Sequence, residues 1–357
     1  MGPSEQDFGI HELYCPPGEP EIDIVAVHGL NGDVLKTWTS KSQNVCWLNH
    51  PDFLPKYIKN ARVLSWSYIS NITSLTGDTT SSDRVLQHAQ TLIAQLQADR
   101  DLEDANYRPI IFICHSLGGI IVKRALAYSA SRVSSKIAHL QSIYTCTFAV
   151  LFFATPHNGT SKARLLGSLQ KLASILIPKG AVQVESSLLA ALEEESETLQ
   201  NISDQFAPLM PNFRIFFFWE QEKTDLKYTK DYIVDEASAA PILDNTERCG
   251  IAGDHREMVR FKKNSEQGFR TVVAALKRYS KEAPQVIRDR VDKAAEIMSE
   301  RRRNEALELL KGIQPSMANS YTLTLEVGKG TNNWLSSSKE IPGGFSRQET
   351  IAESCGA

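Results

Sequence analysis

Short apolar runs alternate with longer helical patterns along most of this chain, and this alternation restricts the fold class. Several runs are apolar almost without interruption, which is typical of strands covered on both faces and therefore of a parallel sheet. Strand followed by helix, repeated in this order, predicts an α/β fold with a mostly parallel, doubly wound sheet. The predicted strands span residues 21–29, 60–68, 108–116, 148–156 and 212–220, with a short sixth at 231–238.

Helical patterns fill the segments between these strands. One predicted helix begins directly after the third strand. The predicted helix that precedes this strand, residues 81–100, places its apolar residues on one side. Residues 178–210 break the strict alternation, so we expect them to insert helices that cover a site as a cap. The predicted helices span residues 81–100, 118–131, 162–177, 186–206 and 265–282.

The chain divides by composition into four segments. Residues 1–20 form an N-terminal extension, residues 21–282 the α/β domain, and residues 283–313 a charged helical extension. Residues 314–357 are rich in Ser, Gly and Asn, and we expect them to form a disordered tail.

Composition excludes several classes of function. The formal net charge is −3, so no excess of basic residues indicates binding to nucleic acid or to an anionic membrane surface. The six cysteines lack the spacing of a zinc site or a redox pair, and we expect neither a metal nor another cofactor. The first residues show no secretory signal, and the apolar runs are too short to span a bilayer.

The stretch ICHSLGG, residues 113–119, places Ser116 between a predicted strand and a predicted helix. It follows the pattern Gly-x-Ser-x-Gly of a nucleophile elbow except at Cys114, a small apolar residue that stands where the first glycine is expected. Gly118 and Gly119 supply the small residues that a crowded turn needs. The alternative interpretation is that Ser116 only caps the following helix. We favour the nucleophile.

A serine nucleophile needs two backbone N–H groups as an oxyanion hole and a histidine as base. We assign the oxyanion hole to the amides of Leu117, directly after the serine, and Leu30, in the loop after the first strand. The side chain of His28 in that loop is interpreted as structural. His255 follows the last strand and is predicted to be the base, whereas His157 is expected at the rim of the site.

The acid that orients the base is expected after the fifth strand. Glu220 ends that strand, and its side chain would lie at the carboxyl edge of the sheet, where α/β sites form. Three aspartates follow closely, and we leave the choice between Glu220 and these residues open: Asp225, Asp231 and Asp235.

Several motifs occur in an order that resembles a known family. They include DIVAVHGLNGDVLKTWTS, FICHSLGGIIVKRAL, FFATPHNGT, FFFWE and DHREMVRF. Together they resemble the serine esterase, lipase-like branch of the α/β hydrolases over residues 21–280, and the fungal members most of all. That branch includes relatives of the mitochondrial serine-active-site lipase-like proteins and of the GPI inositol deacylases.

The resemblance implies an α/β-hydrolase fold for residues 21–282 and matches the family's serine, glutamate and histidine to Ser116, Glu220 and His255. It also implies that Cys114 is tolerated, because the branch accepts a non-glycine residue there. The expected substrate is a carboxylic ester, with a lipid ester as one class. The resemblance further implies a cytoplasmic protein or one held peripherally at the mitochondrion or endoplasmic reticulum, with protein partners unknown.

Two functions follow from these observations. The first is a serine hydrolase that cleaves an ester through an acyl-enzyme. The second is a catalytically weak module that acts as the N-terminal signalling or effector domain of a fungal receptor-like protein. The presence of serine, histidine and acid candidates favours the first, and the charged extension after residue 282 favours the second.

Overall fold

The computed structural model describes residues 8–68, 70, 81–157, 167–168, 170–172, 201–226 and 229–312. In these ranges the strands are β1 Gly9–Tyr14, β2 Ile22–Val27, β3 Thr39–Ser40, β4 Val45–Cys46, β5 Ala61–Ser67, β6 Ile110–His115, β7 Thr147–Phe153, β8 Arg214–Glu220, β9 Thr224–Asp225, β10 Lys230–Asp231 and β11 Thr246–Ile251. The α-helices are α1 Leu54–Tyr57, α2 Ser81–Leu102, α3 Leu117–Ala130, α4 Ser142–Cys146, α5 Glu236–Ala239 and α6 Gln267–Gly312. Short 3₁₀ helices span Ala138–Gln141, Ala207–Asn212 and Glu257–Val259.

Seven strands form one twisted sheet in the order β1-β5-β2-β6-β7-β8-β11. Edge strand β1 pairs antiparallel with β5, and all other neighbours pair parallel. Helices α2, α3 and α4 pack against one another, and the first turns of α6 pack Phe269 onto Trp47, Phe53 and Phe261. The order and direction of the strands are those of an α/β hydrolase sheet, which confirms the predicted fold class.

The order of the strands creates a crevice beside β2. The chain leaves β2 for β5 on one side and then returns past β2 to β6 on the other side. Loops that leave neighbouring parallel strands in opposite directions open a crevice at the carboxyl ends of these strands, where ligands bind. The loop after β2 carries Gly29 and Leu30, and the turn after β6 carries Ser116.

The five long predicted strands are confirmed, but the sixth is wrong. Residues 231–238 contain the end of the small β9–β10 ribbon and then α5, because the Asp235 carboxylate accepts a hydrogen bond from Ser238 N–H and caps that helix. The sixth parallel strand is β11, and its sequence TERCGI is too polar to stand out as a buried run. Strand β1, GIHELY, was missed for the same reason.

The predicted segment boundaries at residues 21 and 283 do not coincide with the ends of elements. Strand β1 precedes residue 21 and belongs to the central sheet, and α6 continues through residue 283. The chain divides into compact units 1–300 and 301–357, and the described part of the second is the end of α6. The cap predicted at 178–210 lies mostly outside the described residues, as does the tail at 314–357.

No helix in the described part of the chain is both long enough and apolar enough to cross a membrane.

A buried ion cluster lies at the opposite end of β2 from the crevice. Asp23 is fully buried, and its carboxylate accepts hydrogen bonds from Arg62 Nε at 3.0 Å, Arg100 Nη1 at 2.5 Å and Arg108 Nη1 at 3.1 Å. Arg62 also donates to Asp99 at 2.7 Å. A buried charge is tolerated only when it is paired. The single Asp23 carboxylate pairs with three guanidinium groups and so compensates their charge.

Replacing Asp23 with asparagine should destabilise the domain by about 3–5 kcal/mol, because the arginines would remain buried without their shared carboxylate. Urea unfolding followed by circular dichroism measures this loss. Replacing Asp99, which is partly exposed and contacts only Arg62 in the cluster, is the matched control and should cost much less. Equal losses in the two variants would contradict this account.

Candidate active site

Ser116 lies in a strained turn between β6 and α3. Its φ of 54° and ψ of −126° are rare for a residue with a side chain, and such strain is typical of a nucleophile elbow. The backbone around it holds the turn in place. Ser116 N–H donates to Phe153 O at 2.9 Å, and Ser116 O accepts from Gly119 N–H and from the Thr155 hydroxyl, each at 3.1 Å.

The hydroxyl of Ser116 is buried and has no hydrogen-bond partner among the described residues. In particular, its side chain makes no capping hydrogen bond to α3. This observation contradicts the alternative interpretation that Ser116 only caps the helix. A buried hydroxyl without a partner is uncommon in native proteins and indicates a function that needs it free.

The elbow is crowded on both sides by neighbouring side chains. A Cβ on Gly29 would lie 2.7 Å from Ser116 Cβ, so the loop after β2 contacts the nucleophile turn directly. A Cβ on Gly119 would lie 2.2 Å from Thr155 Oγ1. Real Cβ atoms do not approach other atoms so closely, and both positions therefore require glycine. Cys114 fits where the motif has its first glycine, because its side chain is fully buried in the sheet.

The two predicted oxyanion residues flank this turn. Leu117 is the first residue of α3, so its N–H has no acceptor within the helix. Leu30 follows Gly29 and lines a cleft of ≈ 690 Å³ together with Gly29 and His115. Leu117 thus adjoins Ser116 in the chain and Leu30 adjoins Gly29, which packs against Ser116; their oxyanion role stays a prediction.

His28 holds the loop that carries Leu30. Its ring stacks on Tyr68 at 4.6 Å, and its Nδ1 lies 2.9 Å from Gly29 O, to which it donates. Burial lowers the pKa of His28 to about 4, so the ring is neutral at neutral pH. This geometry agrees with the structural role that the sequence predicted for this side chain.

His255 follows β11 and is buried beside the elbow. His115, directly before the nucleophile, places its Nε2 2.8 Å from His255 O, and the two rings lie 4.9 Å apart. Burial and then the neighbouring His255 lower the pKa of His115 well below its usual range, so the His115 ring is neutral and donates from Nε2. Neither Nδ1 nor Nε2 of His255 has a hydrogen-bond partner in the described part of the chain.

Glu220 is the carboxylate that contacts His255. Its Oε1 lies 3.4 Å from His255 Nδ1 and accepts a hydrogen bond from Val234 N–H at 2.7 Å. Thr224 joins the two residues, because its hydroxyl accepts from His255 N–H at 3.2 Å and lies 3.5 Å from Glu220 Oε2. The distance of 3.4 Å is longer than a normal N–H···O bond, and such contacts often tighten when substrate binds.

The three competing aspartates have other partners. Asp225 is exposed and lies 3.2 Å from Lys230, Asp231 lies 2.7 Å from Lys171, and Asp235 caps α5. Neither hydrogen bonds nor ion pairs in the described residues connect these aspartates to His255.

The sequence missed two positioning residues, His115 and Thr224. His115 was visible in the motif as the residue before Ser116, but its partner is a backbone oxygen far along the chain. His157, which was expected at the rim, is buried against Phe152 and Phe217 and lines a different cavity. In the described residues no three His, Cys, Asp or Glu side chains are grouped as metal ligands.

Comparison with known proteins finds similarity to a family of putative serine esterases. Residues 23–186 match the family described as "Putative serine esterase (DUF676)". Protein SERAC1 of Danio rerio is 30% identical over 216 residues, which cover 55% of this chain and 31% of that protein. Protein SERAC1 of Mus musculus is 24% identical, covering 63% of this chain and 34% of that protein. This chain spans about a third of the length of the curated relatives it matches.

Among solved structures, the Bacillus licheniformis lipase BlEst2 is 17% identical with a TM-score of 0.47, covering 75% of this chain and 97% of that one. Over residues 23–186 this chain is therefore similar to the family of putative serine esterases, and the order of its strands is that of an α/β hydrolase.

Proposed function

We propose that this chain is a serine esterase that cleaves a carboxylic ester with Ser116 as nucleophile, His255 as base and Glu220 as acid. The observation that carries this proposal is the contact of the buried Glu220 carboxylate with His255, next to an elbow serine whose hydroxyl has no described partner. The alternative, an effector module with weak catalysis, gains no support from the family match.

The proposed reaction begins when His255 Nε2 accepts the proton of the Ser116 hydroxyl and Ser116 Oγ attacks the ester carbonyl carbon. The Leu30 and Leu117 amides stabilise the negative charge that develops on the carbonyl oxygen. Protonated His255 then gives its proton to the leaving alkoxide, and the acyl group remains on Ser116. Water, activated by His255, releases the carboxylic acid and restores the serine.

Each neighbour of the triad has a role in this proposal. Glu220 holds the proton of His255 on Nδ1 and stabilises the imidazolium form, so that Nε2 is free to accept a proton. His115 and Thr224 hold the backbone of His255 and so fix where the ring lies. A lipid ester is the substrate class implied by the resemblance, and peripheral contact with a mitochondrial or endoplasmic reticulum membrane stays a prediction.

A fluorophosphonate probe tests the proposed nucleophile. We expect the probe to label the protein at a single residue, Ser116, as identified by peptide mass spectrometry, and to abolish turnover of short-chain p-nitrophenyl esters. Labelling at another serine would show that the nucleophile is wrongly assigned. A folded protein that neither reacts with the probe nor turns over any ester would favour the effector module.

A further inference from the structure

A second cavity, of ≈ 810 Å³, lies away from the cleft beside Ser116. It is lined by residues from the amino-terminal ends of β7, β8 and β11, by α3 and by the Ala207–Asn212 helix. It shares no lining residue with the cleft that contains Gly29, Leu30 and His115. Most of its wall is apolar, including Phe148, Phe206, Met210, Phe213, Ile215 and Phe217.

A buried lysine lies at one end of this cavity. Lys123 of α3 is 2% exposed, and no carboxylate of the described residues lies within ion-pair distance of it. Its Nζ contacts the Ser203 hydroxyl at 3.4 Å and the face of Phe152 at 5.7 Å from the ring centre. A buried ammonium without a counter-ion is unfavourable, and burial accordingly lowers the pKa of Lys123 to about 7.

Two further polar groups lie near this end of the cavity. His157 lines the cavity, is buried, and has no described hydrogen-bond partner for its Nε2. The Cys114 thiol is also fully buried, and burial raises its pKa well above the usual range, so that it does not supply a negative charge to Lys123. The buried end therefore offers two nitrogen atoms that can bind an anion.

The exposed part of the cavity lining is mixed, with Arg214, Asp244 and Asn245 beside two aliphatic residues. Leu243 and Val286 line the cavity and are 44% and 42% exposed, and the adjacent Ile242 is 85% exposed. The cavity thus joins two buried nitrogen groups to an aromatic wall, and aliphatic side chains continue this wall toward the exposed lining. A ligand that complements it carries one negative charge at the head of an apolar chain.

We propose that this cavity binds an aliphatic monocarboxylate, with its carboxylate at Lys123 and His157 and its chain along the aromatic wall toward Leu243 and Val286. The carboxylate supplies the counter-ion that Lys123 lacks among the described residues. Lys123 lies two helical turns after Ser116, about 10 Å further along the axis of α3, so this site is distinct from the nucleophile.

Isothermal titration of the Ser116→Ala protein tests the site without any hydrolysis. We expect dodecanoate to bind, and Lys123→Met in the same background to weaken its affinity at least about tenfold, the factor that one charge-assisted hydrogen bond contributes. Binding of 1-dodecanol, which has no charge, should change little. Lys262→Met, at an exposed lysine outside both cavities, is the matched control and should leave dodecanoate binding unchanged.

A second measurement does not depend on a variant at Lys123. Trace acetylation with acetic anhydride, read by peptide mass spectrometry, reports the accessibility of each lysine. Dodecanoate should suppress acetylation of Lys123 several-fold and leave that of Lys262 unchanged. The proposal is overturned if dodecanoate does not bind, if Lys123→Met binds it equally well, or if the ligand fails to protect Lys123. None of these results bears on ester hydrolysis at Ser116.

Discussion

Replacing Ser116 with alanine should lower kcat for a p-nitrophenyl ester by about 10⁴- to 10⁶-fold, because the variant loses the atom that forms the acyl-enzyme. Residual turnover above that of water would come from substrate binding and the oxyanion amides. Stopped-flow or steady-state absorbance at several substrate concentrations separates kcat from KM, and KM should change much less than kcat.

The same variant should fold normally. Ser116→Ala removes a buried hydroxyl that has no described partner, so the free energy of unfolding should stay equal or increase. Ser135→Ala, at an exposed serine of the loop after α3, is the matched control and should retain full activity. Ester turnover that survives in Ser116→Ala, in a protein with an unchanged thermal midpoint, would contradict the assigned nucleophile.

The elbow turn that holds the proposed nucleophile could be predicted from the sequence because its geometry is local. A buried strand, a serine and two glycines at the start of a helix are contiguous in the sequence. Each of them restricts the backbone conformation of the same turn. The loop after β2 could be predicted for a similar reason, since His28 and Gly29 follow a strand whose every residue is buried. Both features depend on neighbours in the sequence.

The carboxylate that contacts His255 could not be chosen from the sequence, because strand register sets which carboxylate lies there. Glu220 pairs with Ile251 at the ends of β8 and β11, and His255 follows Ile251 closely. Strand β11 is half-buried and polar, so the hydrophobic pattern of the sequence does not identify it as a strand. The register that brings Glu220 to His255 therefore could not be predicted either. The site thus depends on a sheet edge that the hydrophobic pattern hides.

The buried lysine illustrates another limit of sequence patterns. Lys123 lies in the stretch GGIIVKRAL at the start of α3, where a lysine followed by an arginine is consistent with an exposed position. The structure instead buries it, because α3 is covered on this side by Phe152 and by the segment that carries Ser203. Lys123 is therefore buried by packing of segments that are distant in the sequence.

The aspartates that compete with Glu220 offer controls of similar chemistry. Asp225→Asn changes an exposed carboxylate whose only described ion pair is with Lys230, and kcat should stay within about twofold of the parent, since exposed pairs contribute little. Asp235→Asn keeps a good helix cap, because asparagine also accepts a hydrogen bond from the helix N–H groups. Both variants should therefore leave the pH profile of kcat unchanged.

Glu220→Gln should lower kcat by about 10³- to 10⁴-fold with little change in KM, because the amide keeps the shape of the side chain but loses the charge that stabilises protonated His255. The amide oxygen of this variant can still accept from Val234 N–H, so the loop should keep its place and the unfolding free energy should change little. Steady-state kinetics across pH, beside urea unfolding, checks both expectations. Full activity in Glu220→Gln, with a large loss in Asp225→Asn or Asp235→Asn, would assign the orienting carboxylate to that aspartate instead. A large loss only in Glu220→Gln would support Glu220, at the end of β8, as the carboxylate that orients His255.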